Sequence, residues 1–171
     1  MVVVKSKMED GIVVKEAVDN LPVPKGVVYV ASGSGDGGGG DGTTSFLPRL
    51  AHAIGYHPPA VDVFGFFERI FGGGDKEREQ HGSWKIVRNR LERCARRYNV
   101  KHRRGVMLII DDADAIARAE EPLFRELQQL AKDGCDEGLI RVVFMVSNDG
   151  AAMQSLQQSS AWNRAIVYNS Q

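Results

Sequence analysis

Two cysteines in 171 residues are too few for a disulfide scaffold, and Cys94 and Cys135 lie too far apart for a metal-ligand pair. Both are expected as reduced thiols, which points to an intracellular, cytoplasmic or nuclear protein. No run approaches the roughly eighteen apolar residues of a membrane span, so no membrane association is expected. The apolar start, Met1 to Val4, gives way at once to Lys5 and is too short for the core of a secretion signal. An excess of one charge is missing too. The 22 lysines and arginines equal the 22 aspartates and glutamates, which argues against attachment to nucleic acid or membrane through bulk charge. The four histidines, His52, His57, His81 and His102, show no ligand spacing. There is no internal repeat.

What is present is a hydrophobic fraction of 43% and a charged fraction of 26%, the balance of a folded domain. The length predicts one domain over 1–171. Continuous apolar runs at 106–110 and 142–146 suit strands buried on both faces of a parallel sheet. Shorter runs at 27–30, 2–4 and 166–168 predict three more. Helical patterns fall at 12–18, 46–54, 61–71, 84–98 and 121–132. In the fourth, Trp84, Val87, Leu91, Cys94, Ala95 and Tyr98 share one face. In the fifth, Leu123, Leu127 and Leu130 do, with Pro122 in the first turn and Gly134 as the expected stop. Strands alternating with helices predict an α/β fold, a three-layer α/β/α sandwich around a mostly parallel sheet. Glycine-rich 32–42 and the segment 72–82 read as loops.

The most informative stretch is 105–114, a buried strand ending in Asp111, Asp112 and, after Ala113, Asp114. The carboxyl edge of a parallel sheet is where ligands bind in open α/β folds. An aspartate there can hold a water of a magnesium ion, and the next acid can orient or deprotonate an attacking water. The plainer alternative leaves Asp111 and Asp112 solvating a loop. For Asp114, capping a short helix is the favoured reading. A second buried strand ends in Ser147 and Asn148, expected beside Asp111 and Asp112.

These segments resemble a known family. Asp111–Asp112–Ala113–Asp114 looks like a Walker B segment, Ser147–Asn148 like a sensor 1 position, and 159–164 follows in the expected order. The arrangement is similar to the AAA-like and STAND-like P-loop ATPases common in fungi and oomycetes, over roughly 26–168. The resemblance implies a P-loop NTPase domain that binds ATP with Mg²⁺.

Such a family carries a glycine-rich loop ending in lysine and serine or threonine. Its N–H groups cradle phosphates, its lysine reaches the terminal phosphates, and its hydroxyl binds magnesium. Two stretches approach this pattern. Lys5–Ser6 follows the apolar start but lacks preceding glycines, so the chain would begin inside the motif. Gly37 to Thr44 has the glycine spacing, but Thr43 stands in place of lysine and Asp41 adds a negative charge. Lys5–Ser6 is the favoured remnant. The resemblance then assigns Lys5 and Ser6 to phosphate and magnesium, Asp111 to the metal, Asp112 to the attacking water and Asn148 to the terminal phosphate. Arg164 resembles an arginine that meets the phosphate of a bound or neighbouring nucleotide. The alternatives are a catalytically dead pseudo-ATPase that binds a protein partner or itself, and a nucleic-acid module. The latter would use the basic helix of Lys85, Arg88, Arg90, Arg93, Arg96 and Arg97, continued by Lys101 to Arg104. A solvated face is the plainer account of that helix, and Cys94 on its apolar side is expected in the core.

Overall fold

The computed structural model describes residues 1–5, 17, 20, 26–31, 46–56, 76–147 and 150–169, with the side chains of all but Lys5, 76–82 and Asn169. The expected helix over 61–71 and the glycine-rich 32–42 lie outside these residues, as does 12–18 apart from Ala17. The five strands are β1 (Val2–Lys5), β2 (Val27–Ala31), β3 (Val106–Asp111), β4 (Ile140–Val146) and β5 (Ile166–Asn169). They form one all-parallel sheet in the order β2-β3-β4-β1-β5. The helices are α1 (Phe46–Ala53), α2 (Lys76–His102), α3 (Ala113–Ala119), α4 (Glu121–Asp136) and α5 (Ala151–Gln158), followed by a 3-10 turn at Trp162–Arg164. The fold is an α/β sandwich of the expected three-layer class.

Both faces of the sheet are apolar, which is why β3 and β4 read as unbroken hydrophobic runs. On one face Val30, Leu108, Ile110, Val142 and Phe144 meet Leu47 and Leu50 of α1, Trp84, Val87 and Leu91 of α2, Ile116 of α3, Leu127 of α4 and Leu156 of α5. Passing from β2 through β3 and β4 to β5, the chain always steps in one direction across the sheet. Right-handed crossovers then put every one of these helices on the same side. The opposite face carries Tyr29, Met107, Ile109, Val143 and Met145, and Met145 is only 1% exposed, so that side is covered too. No helix among the described residues is long and apolar enough to cross a membrane.

Three expectations change. The segment 72–82 is not loop throughout, because α2 begins at Lys76 and runs for 27 residues. Cys94 lies exposed beside the apolar stripe instead of in the core, as does Cys135 elsewhere. Gly134 does not stop α4. It lies buried within the helix, where an added Cβ would come 2.8 Å from Cβ of Ile140, so glycine there serves close packing on β4. The stop is Gly138, at φ +67°. Its N–H donates to the Cys135 carbonyl at 3.1 Å and that of Leu139 to the Gly134 carbonyl at 3.0 Å, the paired bonds of a left-handed helix end.

A candidate site at the carboxyl edge of the sheet

Parallel pairing brings all five strand ends to one edge. Ala31 is level with Asp111, Ile110 with Phe144, and Lys5 with both Val146 and Asn169. β1 lies between β4 and β5, while β2, next in sequence, lies two strands beyond β4. The strand order therefore reverses beside β1, the kind of position where open α/β sheets form a ligand crevice. The ends of β1 and β3 are two strand spacings apart, about 10 Å.

Asp111 ends β3 and is half-buried. Its Oδ2 accepts a short hydrogen bond from the Tyr29 hydroxyl, and its Oδ1 accepts the Asp112 N–H at 2.9 Å. Tyr29 pairs with Ile109 across the sheet, so its ring leans along the strand to the residue two further on. Burial, and then the Asp111 carboxylate, hold the Tyr29 phenol far above its ordinary range. Nothing in the sequence alone pointed to Tyr29, since its role depends on which strand β2 pairs with. Asp112 adopts a left-handed backbone at φ 50°, which turns the chain from β3 into α3. It is exposed at its outer side, yet loss of water to the surrounding protein raises its pKa. The negative charges of Asp114 and Asp111 add to the rise, while the Ala115 N–H and Arg118 oppose it.

Asp114 is only 2% exposed. It does not cap α3, which contains it. Its Oδ2 accepts the Ser147 N–H at 2.7 Å and its Oδ1 accepts the Ala152 N–H at 2.9 Å. Gly150, the N-cap residue of α5, has no side chain, and Asp114 supplies the missing capping oxygen from 38 residues away. Two N–H donors and the positive end of α5 compensate the buried charge.

Of the residues singled out from sequence, the fold brings Asp111, Asp112 and Ser147 to one edge, with the backbone of Lys5. Ser6 and Asn148 lie outside the described residues. Lys5 closes a strand flanked on both sides, so no loop precedes it. Arg164 is elsewhere: it precedes β5, at the amino edge of the sheet, and its Nε donates to Asp136 at 2.8 Å. Sequence reading passed over Arg49, whose guanidinium donates to the Ala31 carbonyl at 3.1 Å, level with Asp111. Among the described residues, no three His, Cys, Asp or Glu side chains converge as a metal cage.

The basic helix is partly neutralised. Arg88 meets Glu92 and Asp133, each at 2.8 Å, and Arg96 meets Glu137 at 2.7 Å. Arg90 lies over the Tyr56 ring and Arg104 over that of Tyr98. Lys85, Arg93, Arg97, Lys101 and Arg103 are exposed. Comparison with family models, with curated proteins and with solved structures gave no match to this chain.

Proposed function

We propose that the carboxyl edge of this sheet binds a nucleoside triphosphate with Mg²⁺, ATP being the nucleotide that the sequence resemblance favours. The observation that carries the reading is the strand order. It sets a lysine-ended strand at a switch point and a two-aspartate strand end about 10 Å away. The donor set at Asp111 fits a hard cation held through water. Its carboxylate, oriented by the Tyr29 hydroxyl and the Asp112 N–H, is a hard oxygen group of the kind that holds a metal-bound water. Lys5 and Ser6 would meet the phosphates, with Ser6 also on the metal, and Asn148 would contact the terminal phosphate. Bound there, Mg²⁺ would supply charge neutralisation at the phosphates. Asp112, whose pKa loss of water raises above the ordinary aspartate value, would orient and deprotonate water.

Hydrolysis is expected to be weak, because β1 continues as strand through Lys5 and Val4 stands immediately before it, where the motif needs glycine. The same feature supports the second reading, a protein-interaction module that has lost turnover. Thermal unfolding with Mg-ATP, and with ATP plus a chelator, tests the reading. Saturating Mg-ATP should raise the midpoint by several degrees, and the chelator should abolish the rise. An unchanged midpoint at millimolar Mg-ATP favours the interaction module.

A further inference from the structure

We propose that β5 is a docking edge for a second copy of this chain, which adds its own β5 antiparallel about a two-fold axis at Val167. The proposal does not depend on the nucleotide reading above.

β5 closes one side of the sheet, and among the described residues no strand pairs beyond it. It runs in unbroken register with β1 over four residue pairs, so no bulge turns the edge aside. Its sequence, Ile166–Val167–Tyr168–Asn169, holds none of the charges or prolines that commonly guard a sheet edge. The three apolar side chains are 56%, 38% and 57% exposed. Ile166 and Tyr168 continue rows that start in the core, since Val2 joins Val143 to Ile166 and Val4 joins Met145 to Tyr168. Val167 lies on the other face of the strand. The opposite edge of the sheet is finished differently. Val27 to Val30 of β2 are buried or half-buried, and Arg49 occupies the Ala31 carbonyl at 3.1 Å.

The backbone fixes the register. The Ile166 N–H donates to the Met1 carbonyl at 3.2 Å, so the polar groups of Ile166 face β1. Along a strand these groups alternate in side, which turns the N–H and C=O of Val167 outward. Antiparallel self-pairing at Val167 then exchanges both bonds with the partner's Val167. It sets Ile166 against the partner's Tyr168 in a close, non-hydrogen-bonded pair. A β-branched residue opposite an aromatic is a favourable cross-strand pair, and the two-fold axis makes two of them. A second β5 therefore matches the exposed groups of the first, and no charge on either strand meets a like charge. The zero formal net charge of the chain removes bulk repulsion between copies. Only four residues take part on each side, so the dimer is small in area, reversible and concentration-dependent. The antiparallel arrangement sends the carboxyl edges of the two copies to opposite rims, which leaves both candidate sites open.

The test is sedimentation equilibrium of wild type, Val167→Pro and Tyr168→Lys from micromolar to near-millimolar protein, with circular dichroism of each. Proline at 167 removes the outward N–H and no bond to β1, a position an edge strand tolerates. Lysine at 168 restores the usual guard of a sheet edge. The wild-type mass should rise from 18.8 kDa toward twice that value, while both variants keep native dichroism and stay at 18.8 kDa. Amide hydrogen exchange of wild type gives a second reading. The Val167 amide should exchange about tenfold more slowly at high concentration than at low, and the Ile166 amide should not change. A wild-type mass of one chain at every concentration overturns the proposal; a Val167 amide protected throughout would then mean that another segment of this chain covers the edge. Dimers that persist in both folded variants also overturn it and move the contact elsewhere, such as the exposed Ile86 and Val100 of α2. Where a substitution unfolds the protein, the wild-type Val167 amide decides alone, and exchange independent of concentration overturns the proposal.

Discussion

At the scale of single residues, the carboxyl edge is a set of carboxylates with different tasks. Asp111 is held by Tyr29, Asp112 is raised in pKa and faces outward, and Asp114 is buried and fully engaged. Asp112→Asn tests the second of these. The folded protein binds this proton more tightly than the unfolded chain, whose aspartate titrates near its ordinary 3.8. Stability is therefore lost as pH rises from that value through the raised one, and above the raised value the ionised side chain carries its full penalty. Asn tolerates the left-handed backbone, so Asp112→Asn should raise the unfolding midpoint at pH 7, and the gain should vanish below the ordinary value. Tyr29 gives a complementary measurement. In Asp111→Asn the nearby negative charge is gone and only burial remains, so the Tyr29 phenol should titrate at lower pH than in wild type, followed by NMR. An unmoved phenol would mean that the hydroxyl does not engage Asp111 in solution. The third task predicts non-additivity. Gly150→Ala should destabilise by about 2 kcal/mol or more in wild type, where the added Cβ would collide with the Asp114 carboxylate, and by much less in an Asp114→Ala background, where that carboxylate is absent. Urea unfolding of the four proteins reads the cycle.

At the scale of elements, helix ends are finished by partners distant in sequence. Glu120 accepts the N–H of Phe46 at the start of α1 at 2.9 Å, and Asp114 does the same for α5. Neither cap could be found by looking for a serine or aspartate just before an apolar run, because each side chain comes from another element. The end of α4 shows the same limit in another form. Two glycines, Gly134 and Gly138, stand near it, and the local pattern does not tell a stop from a contact. The choice is made by Ile140 of β4, which presses on Gly134 and leaves Gly138 to take the left-handed turn. Gly138→Ala should therefore lower stability by about 1 kcal/mol through backbone strain alone, since nothing lies within 4 Å of an added Cβ there. Thermal or urea unfolding checks it. The strands were legible at once. All five expected runs are strands, extended by a residue or two at their ends, because burial on both faces leaves an apolar signature that needs no partner to interpret. The stripe of α2 was legible apart from Cys94, which lies at its margin and points outward.

At the scale of the molecule, strand order is what sequence could not supply. It depends on which strands pair, and that is decided by long-range packing and the handedness of crossovers. With the order known, Lys5, Asp111, Asp112 and Ser147 share an edge, whereas Arg164 and its partner Asp136 belong to the opposite one. The acidic strand end was readable as a candidate site because adjacent carboxylates after a buried strand are costly without a compensating group. Tyr29, Arg49 and the reach of Asp114 were not readable, since each acts across a contact between elements remote in sequence. The zero net charge conceals a local asymmetry as well, with Lys85, Arg93, Arg97 and Lys101 exposed along α2 and Arg103 just after it.

The central claim is that the carboxyl edge holds a magnesium nucleotide through Lys5 and Asp111. Calorimetric titration of the protein with Mg-ATP, beside Asp111→Ala and Lys5→Ala, tests it most directly. The account predicts micromolar binding in wild type that is lost in both variants while their circular dichroism stays native. No heat up to millimolar Mg-ATP, or binding that survives both substitutions, would contradict it.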